Sequence, residues 1–320
     1  MQTKKIAIAA ALSFAFAAQC ALAQVSITTS QTGTGNRLFA EQLAVSPSAT
    51  IVITQVGNNN DAGQPVMRVG GVYQANSSDV YGEISQKGNA NIGIVGQDGV
   101  WRGGTQISQQ GNRNYANGLQ DQTGAADILI KQIGSDNTAD VQQRNVGPFL
   151  VDAKQTGSDN QILITQRQSG YAGPKVEQIG ASNITTIDQG NAFYSGVGVK
   201  QTGSFNVASV KQRDTLFTDG SMIEQNGSSN KASNDEGGER NASHIHQNGD
   251  GNDASITQRQ SSAESTITQN GIANRATVNQ TGEATGVNPR NYSAILQAGD
   301  GFSATVTQVG SNNHSLIVQH

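Results

Sequence analysis

The residues whose type and spacing could do chemistry in this chain are side-chain amides. A primary amide carries two N–H donors and a carbonyl acceptor on one planar group. Identical amides held one above another can therefore bond into a continuous column with no other partner. Along the chain a Gln is followed by Gly two residues later, Asn five later, a small or apolar residue seven later and a second Gln eleven later. Five sets fit in full: Gln109, Gly111, Asn114, Ala116, Gln120; Gln132, Gly134, Asn137, Ala139, Gln143; Gln201, Gly203, Asn206, Ala208, Gln212; Gln247, Gly249, Asn252, Ala254, Gln258; and Gln269, Gly271, Asn274, Ala276, Gln280. Three more differ at one position: Gln86, Gly88, Asn91, Gln97 with Gly93 in place of Ala; Gln155, Gly157, Asn160, Gln166 with Ile162; and Gln178, Gly180, Asn183, Gln189 with Thr185. From Gln86 to Gln201 the leading Gln recurs every 23 residues, a register that compositional bias would not hold.

Other reactive groups are sparse. No Ser, His and Asp set, paired carboxylates or phosphate-binding loop stands apart from the repeat, so the chain is expected not to be an enzyme and to need no cofactor. His244 and His246 share parity on one strand face, but no further ligand set accompanies them, and they read as solvated residues. Asn248 to Asp253 bears a faint likeness to a calcium-binding turn, yet it falls on the repeat's own Gly-x-x-Asn segment. Trp101 and the scattered Tyr residues are too few for a carbohydrate platform.

The elements that must position the amides are strands. Ile128 and Ile130 precede Gln132 at even offsets and Val197 and Val199 precede Gln201, while Ile107, Val176, Ile223, Ile245, Ile267 and Ile295 repeat the nearer position. After the Asn the alternation resumes, with Asn137, Ala139, Val141 and Gln143 on one parity, as are Asn206, Ala208, Val210 and Gln212. Period two is a strand signature. One face carries Gln, Ala and aliphatic residues; the other carries Thr, Lys, Asp, Arg and Ser. Gly-x-x-Asn between the strands is turn chemistry, since Gly accepts positive φ and Asn tolerates it; Gly227-Ser228-Ser229-Asn230 is a further copy. A second turn is marked by Asn145-Val146-Gly147-Pro148 and by Ser169 to Pro174.

A lone two-stranded unit is marginal in water, so the units must stack. The expected fold is all-β, a β-solenoid of about 12 strand-turn-strand repeats of 22–23 residues, with parallel, in-register, cross-β coils. Gln308, Gly310, Asn313, Ile317 and Gln319 run the motif almost to His320, and Gln31, Gly33, Asn36 and Gln42 begin it near the other end, so both ends are expected to be competent to stack. Two stretches are read as loop insertions: 64–80, where Val66 to Val80 breaks the pattern, and 234–242, where Asp235, Glu236, Glu239 and Arg240 replace the expected closing strand.

Composition bounds the rest. Residues 1–23 read as a signal peptide, with Lys4 and Lys5, an apolar run from Ile6 to Ala18 and a small-x-small site at Ala21-Leu22-Ala23. The one Cys falls inside that segment, so disulfides cannot hold residues 24–320 together. The whole chain has 20 basic and 24 acidic residues; without Lys4 and Lys5 the balance is 18 against 24, a charge of −6. That sign disfavours nucleic acid as a partner, and no later apolar run is long enough for a membrane span.

The Gln-x-Gly-x-x-Asn-x-Ala-x-x-x-Gln repeat behind a signal peptide resembles the curlin repeat of curli subunits over nearly all of residues 24–320. The resemblance implies export through the periplasm and an outer-membrane secretion pore of a Gram-negative bacterium, then self-assembly into a homopolymeric, extracellular, fimbria-like amyloid of the biofilm matrix, with a companion curlin subunit as partner. Two other roles stay open at this point, a surface-anchored nucleator and a monomeric secreted β-helical adhesin. Three features differ from the family pattern: Ser221, Ser243, Ser265 and Ser293 lie four residues before the leading Gln where the family has Ser six before it, the chain is about twice the usual length, and the Gly-rich tag after the cleavage site is missing.

Overall fold

The computed structural model describes residues 25–45, 48–62, 71–171, 173–218, 220–259, 262–282 and 290–320. Residues 1–23, read as a signal peptide, lie outside them.

Alternating β-branched and amide residues, punctuated by glycines at positive φ, leave the backbone two options per unit, extended or turning, and the chain winds accordingly. It forms a β-solenoid of about 12 coils. Among the described residues each coil contributes one strand to a 13-stranded sheet, and 12 of the coils close through a 14-stranded sheet in which the first two closing strands are each split in two, Arg37–Leu38 with Ala40–Leu43 and Asp61–Ala62 with Gly71–Ala75. The first sheet runs from Ser26–Thr32 to His314–Gln319 and holds the leading Gln of each unit; the second runs from Arg37–Leu38 to Ser303–Val309 and holds the closing Gln. Among the described residues, strands pair with their equivalents one coil away, in parallel and in register. Ile128, Ile130 and Gln132 pair with Val151, Ala153 and Gln155, and Ala139, Val141 and Gln143 pair with Ile162, Ile164 and Gln166.

Parity decides burial. In Asp127–Ser135, Ile128, Ile130 and Gln132 are buried; in Thr138–Arg144, Ala139, Val141 and Gln143 are. The inward faces of the two sheets form one apolar column along the molecule, from Ile51 to Val306. The first turn is set by a column of glycines. Gly134 has φ +120°, and a Cβ there would stand 1.9 Å from the Gly157 carbonyl oxygen of the next coil. No other residue fits that approach.

Three segments differ from the sequence reading. The charged stretch 234–242 is not a loop: Lys231–Glu239 is a strand of the second sheet, with Asn234 and Glu236 pointing inward and buried. Its parity is that of every other closing strand, and neighbours on both sides hold its register, so pairing prevails over the low strand propensity of Asp and Gly. A bulge at Arg213 and Thr215 in the preceding strand absorbs the local change in coil length. In 64–80, Gly71–Ala75 is a strand seated between Ala40–Leu43 and Ile92–Asp98. The insertion therefore splits one closing strand between Ala62 and Gly71, and its residues 64–70 lie outside the described ones. Finally, Gln308 belongs to the second sheet and Gln319 to the first. The unit that the sequence suggested from Gln308 to Gln319 is the end of one coil and the start of the next. Gln297, Gln308 and Gln319 are each 11 residues apart, so the two halves of a coil look alike and the motif matches in either phase.

Candidate assembly site: the amide ladders

The first sheet aligns Gln31, Gln55, Gln86, Gln109, Gln132, Gln155, Gln178, Gln201, Gln225, Gln247, Gln269, Gln297 and Gln319. In each case Nε2 donates to Oε1 of the next Gln toward the C terminus, at 2.6–3.0 Å. The second N–H of the amide is used as well: Gln132 Nε2 reaches the Tyr115 carbonyl at 2.8 Å and that of Asn137 at 3.1 Å. Each rung from Gln55 to Gln297 is thus satisfied within the core. An amide buried without partners would cost about 1–3 kcal/mol, and the stacking removes that cost.

The second sheet aligns Gln42, Gln74, Gln97, Gln120, Gln143, Gln166, Gln189 and Gln212, with the same donor direction and Nε2 to Oε1 distances of 2.7–3.1 Å. At the next level stands Glu236, which accepts from Gln212 at 2.9 Å. Beyond it Gln258, Gln280 and Gln308 resume the column.

A third column lies at the first turn: Asn36, Asn60, Asn91, Asn114, Asn137, Asn160, Asn183, Asn206, Asn230, Asn252 and Asn274. Asn137 shows the pattern. Its Nδ2 donates to Asn114 Oδ1 at 3.0 Å and to the Gly157 carbonyl at 2.9 Å, and its backbone N–H donates to Asn114 Oδ1 at 3.2 Å. One side chain so ties three coils together, and the Gly that makes the turn supplies an acceptor for it. The column ends where the Phe302 backbone N–H takes the Asn274 oxygen at 2.9 Å. Asn313 is not in it: with Asn291 it sits at the opposite turn, where its N–H donates to Asn291 Oδ1 at 2.8 Å and Asn291 Nδ2 reaches the Gly310 carbonyl. Gly310 likewise stands outside the column of Gly88, Gly111, Gly134, Gly157, Gly180, Gly203, Gly227, Gly249 and Gly271.

The named repeat residues thus fall into four columns, two of Gln, one of Asn and one of Gly, apart from Asn313 and Gly310. Residues the motif reading left out of the amide columns are Gln55, Asn60, Gln74, Gln225, Glu236 and Gln297, while Asn230 entered it only as part of a turn. Most were within reach of the same motif. Gln55, Gly57, Asn60 and Ala62 match its first four positions, and Gln74 follows Gln55 by 19 residues, the usual 11 plus an eight-residue insertion. Gln225, Gly227, Asn230 and Ala232 match as well, with Glu236 standing where Gln is expected.

Outside the ladders, His244 and His246 face outward, and His246 Nδ1 lies 3.3 Å from the Glu224 carboxylate. The Asn248–Asp253 turn bonds within the protein: the Asp250 carboxylate accepts from both the N–H and the hydroxyl of Ser228 at 2.7 Å, which holds its pKa below the ordinary range. Arg113 pairs with Asp136 on the next coil through two 2.7 Å bonds and lowers the Asp136 pKa. Aromatic side chains far apart in sequence meet at the second turn. Phe149, Tyr171, Tyr194 and Phe217 form a surface row with centroid separations of 5.3, 4.6 and 5.0 Å. Their 22–23-residue spacing was the available signal. Tyr171 and Tyr194 stack face to face, so much of the ring surface that a sugar would need is already covered.

This arrangement can hold many coils of one chain by a repeated, self-complementary surface, and it accords with a structural protein of curli type. No curated relative matches the chain. Residues 237–259, which run from the end of Lys231–Glu239 through the second turn, Ala242–Asp250, the first turn and Asp253–Arg259, match the family model of the curlin associated repeat.

Proposed function

We propose that residues 24–320 are a structural, non-catalytic subunit of extracellular curli-like amyloid fibres, self-assembling for adhesion and biofilm matrix. The observation that carries this reading is that the contact between coils repeats along the molecule: parallel strands, Gln on Gln at every rung but Glu236, and Asn on Asn from Asn36 to Asn274. A surface that recognises its own copy within a chain is equipped to recognise it in another. Ser26–Thr32 and His314–Gln319 lie at the edges of the first sheet among the described strands. On the former, Ile27 shares the column of the buried Ile51 yet is 47% exposed, a surface that stacking would cover. The curlin repeat at 237–259 supports the same reading; export through an outer-membrane pore to the cell surface and a companion curlin subunit as partner belong to the proposal.

The test is to dilute purified residues 24–320 out of denaturant and follow thioflavin fluorescence and X-ray fibre diffraction. Fibre growth after a lag, with reflections near 4.7 and 10 Å, is the expected result. A stable soluble β monomer would point instead to a secreted adhesin. A chain that forms few fibres of its own but seeds another subunit at substoichiometric amounts would point to a nucleator.

A further inference from the structure

Glu236 is the one carboxylate in a column of amides. It is 1% exposed and keeps strict register with Gln212 before it and Gln258 after it. One carboxyl oxygen, Oε2, takes the place of an amide oxygen and accepts from Gln212 Nε2. The other, Oε1, takes the place of the donating nitrogen. It accepts a hydrogen bond from Ser243 Oγ, the position that Ser265 Oγ occupies against Gln258 Nε2 one coil later at 3.0 Å. At every other rung of this ladder an N–H would now donate onward. Here the onward neighbour is Gln258 Oε1, which is buried without a hydrogen-bond partner. An ionised carboxylate is an acceptor only, so with Glu236 charged, lone pairs oppose lone pairs across one coil spacing.

We propose that Glu236 is a proton-operated rung of the second Gln ladder. With the proton on Oε1, its O–H donates to Gln258 Oε1 and the column is continuous from Gln42 to Gln308. Without it, the solenoid is weakened between Lys231–Glu239 and Asp253–Arg259. The proton is the only species transferred, and solvent is its source and sink.

The surroundings favour the neutral form. Burial raises the Glu236 pKa, hydrogen bonds from Ser243, Gln212 and Ser221 oppose the rise in part, and the Asp235 charge adds to it. Among the described residues no Lys, Arg or His side chain is buried in the core to offset the carboxylate. The other charged and titratable groups on the packed strands lie outside the core: Lys211, Arg213 and Asp214 before it, Lys231, Asp235 and Glu239 on its own strand, Asp253 and Arg259 after it, and Glu224, His244, His246 and Asp250 across the core. Arg213 is paired with Asp188, Arg259 with Asp235 and His246 with Glu224.

The sign follows from linkage. A carboxyl whose folded pKa is raised contributes stability that is fully present below its unfolded pKa, about 4.3, and is lost as pH rises toward the folded pKa. Over that window the local opening equilibrium shifts tenfold per pH unit. This is opposite to Asp136 and Asp250, whose pKa values are lowered, so the readout is the difference between wild type and Glu236→Gln.

Freshly desalted monomers of both proteins would be compared from pH 4 to 9 by hydrogen exchange in Lys231–Glu239 and Asp253–Arg259, with an infrared spectrum of the carboxyl region. The expected result is equal protection in acid, a progressive loss in wild type as pH rises, and retained protection in Glu236→Gln, whose amide supplies the missing donor. In the difference spectrum, wild type minus Glu236→Gln, a protonated-carboxyl band should persist to a pH at which exposed carboxyls are already ionised. Parallel pH profiles for the two proteins, or absence of that band, would overturn the proposal. So would protection that follows the identity of added sodium or potassium and not pH, which would assign the gap to a bound cation. The proposal does not depend on fibre formation, because every measurement is made on the monomer.

Discussion

At Gln155 one side chain accepts from Gln132 at 2.8 Å and donates to Gln178 at 3.0 Å. Replacing it with Ala strands the Gln132 donor and the Gln178 acceptor in the core and opens a cavity. Each orphaned group costs about 1–3 kcal/mol, so Gln155→Ala is expected to destabilise its coils by about 2–6 kcal/mol, read as a lower urea midpoint or as lost exchange protection. Glycines give a sharper contrast. Gly134→Ala would drive a Cβ to 1.9 Å from the Gly157 carbonyl at φ +120°, and a loss of about 1–3 kcal/mol or more follows from the backbone strain alone. Gly190 has open space around it; Gly190→Ala should stay within about 0.5 kcal/mol of wild type. Tyr81 offers a spectroscopic check. Partial burial, and then the Glu83 carboxylate that accepts its hydroxyl at 2.6 Å, push its pKa up to about 12. In an ultraviolet titration Tyr81→Phe should remove the latest phenolate transition and leave earlier ones in place.

The strand is the element that turns a residue type into a position. A one-residue slip would carry every inward Gln to the solvent face, so parity explains why even Asn234-Asp235-Glu236 extends as a strand between two well-formed neighbours. The turns hold a different record. At the second turn the row of Phe149, Tyr171, Tyr194 and Phe217 joins four coils from outside, and each aromatic pair is worth about 0.5–1.5 kcal/mol beyond burial. Tyr194→Ala removes two of its three contacts. The expected outcome is a weaker near-ultraviolet dichroism and earlier exchange in the flanking turns, with the Gln and Asn columns intact.

On the scale of the molecule the donors of both Gln ladders point toward the C terminus, so a stack of chains built by extending them is polar and joins unlike ends. Gln319, the last rung of the first ladder, receives its bond from Gln297 at 2.8 Å. Under the proposed function, Gln319→Ala and Gln308→Ala are expected to slow fibre elongation while costing the monomer less than Gln155→Ala does; unchanged lag and growth in both variants would count against ladder extension.

Strand alternation, the Gly-x-x-Asn turn and the 22–23-residue period are local properties of the chain, and they sufficed for the all-β solenoid and for most members of the amide columns. A side chain's face depends only on parity, and a turn only on its own φ preferences. What the tertiary structure alone decided needs a partner one coil away. Glu236 is a rung because Gln212 and Gln258 stack on either side of it, although its charge pointed to a loop. The split closing strand recovers Gln74 because Gln42 and Gln97 flank it across an insertion. Gln308 and Gln319 take their sheets from the strands they pair with, since 11-residue half-coils are alike in sequence. The direction of the amide bonds belongs to the same class, set by contacts between residues about 23 positions apart; the aromatic row has its 22–23-residue spacing in the sequence and takes only its ring stacking from those contacts.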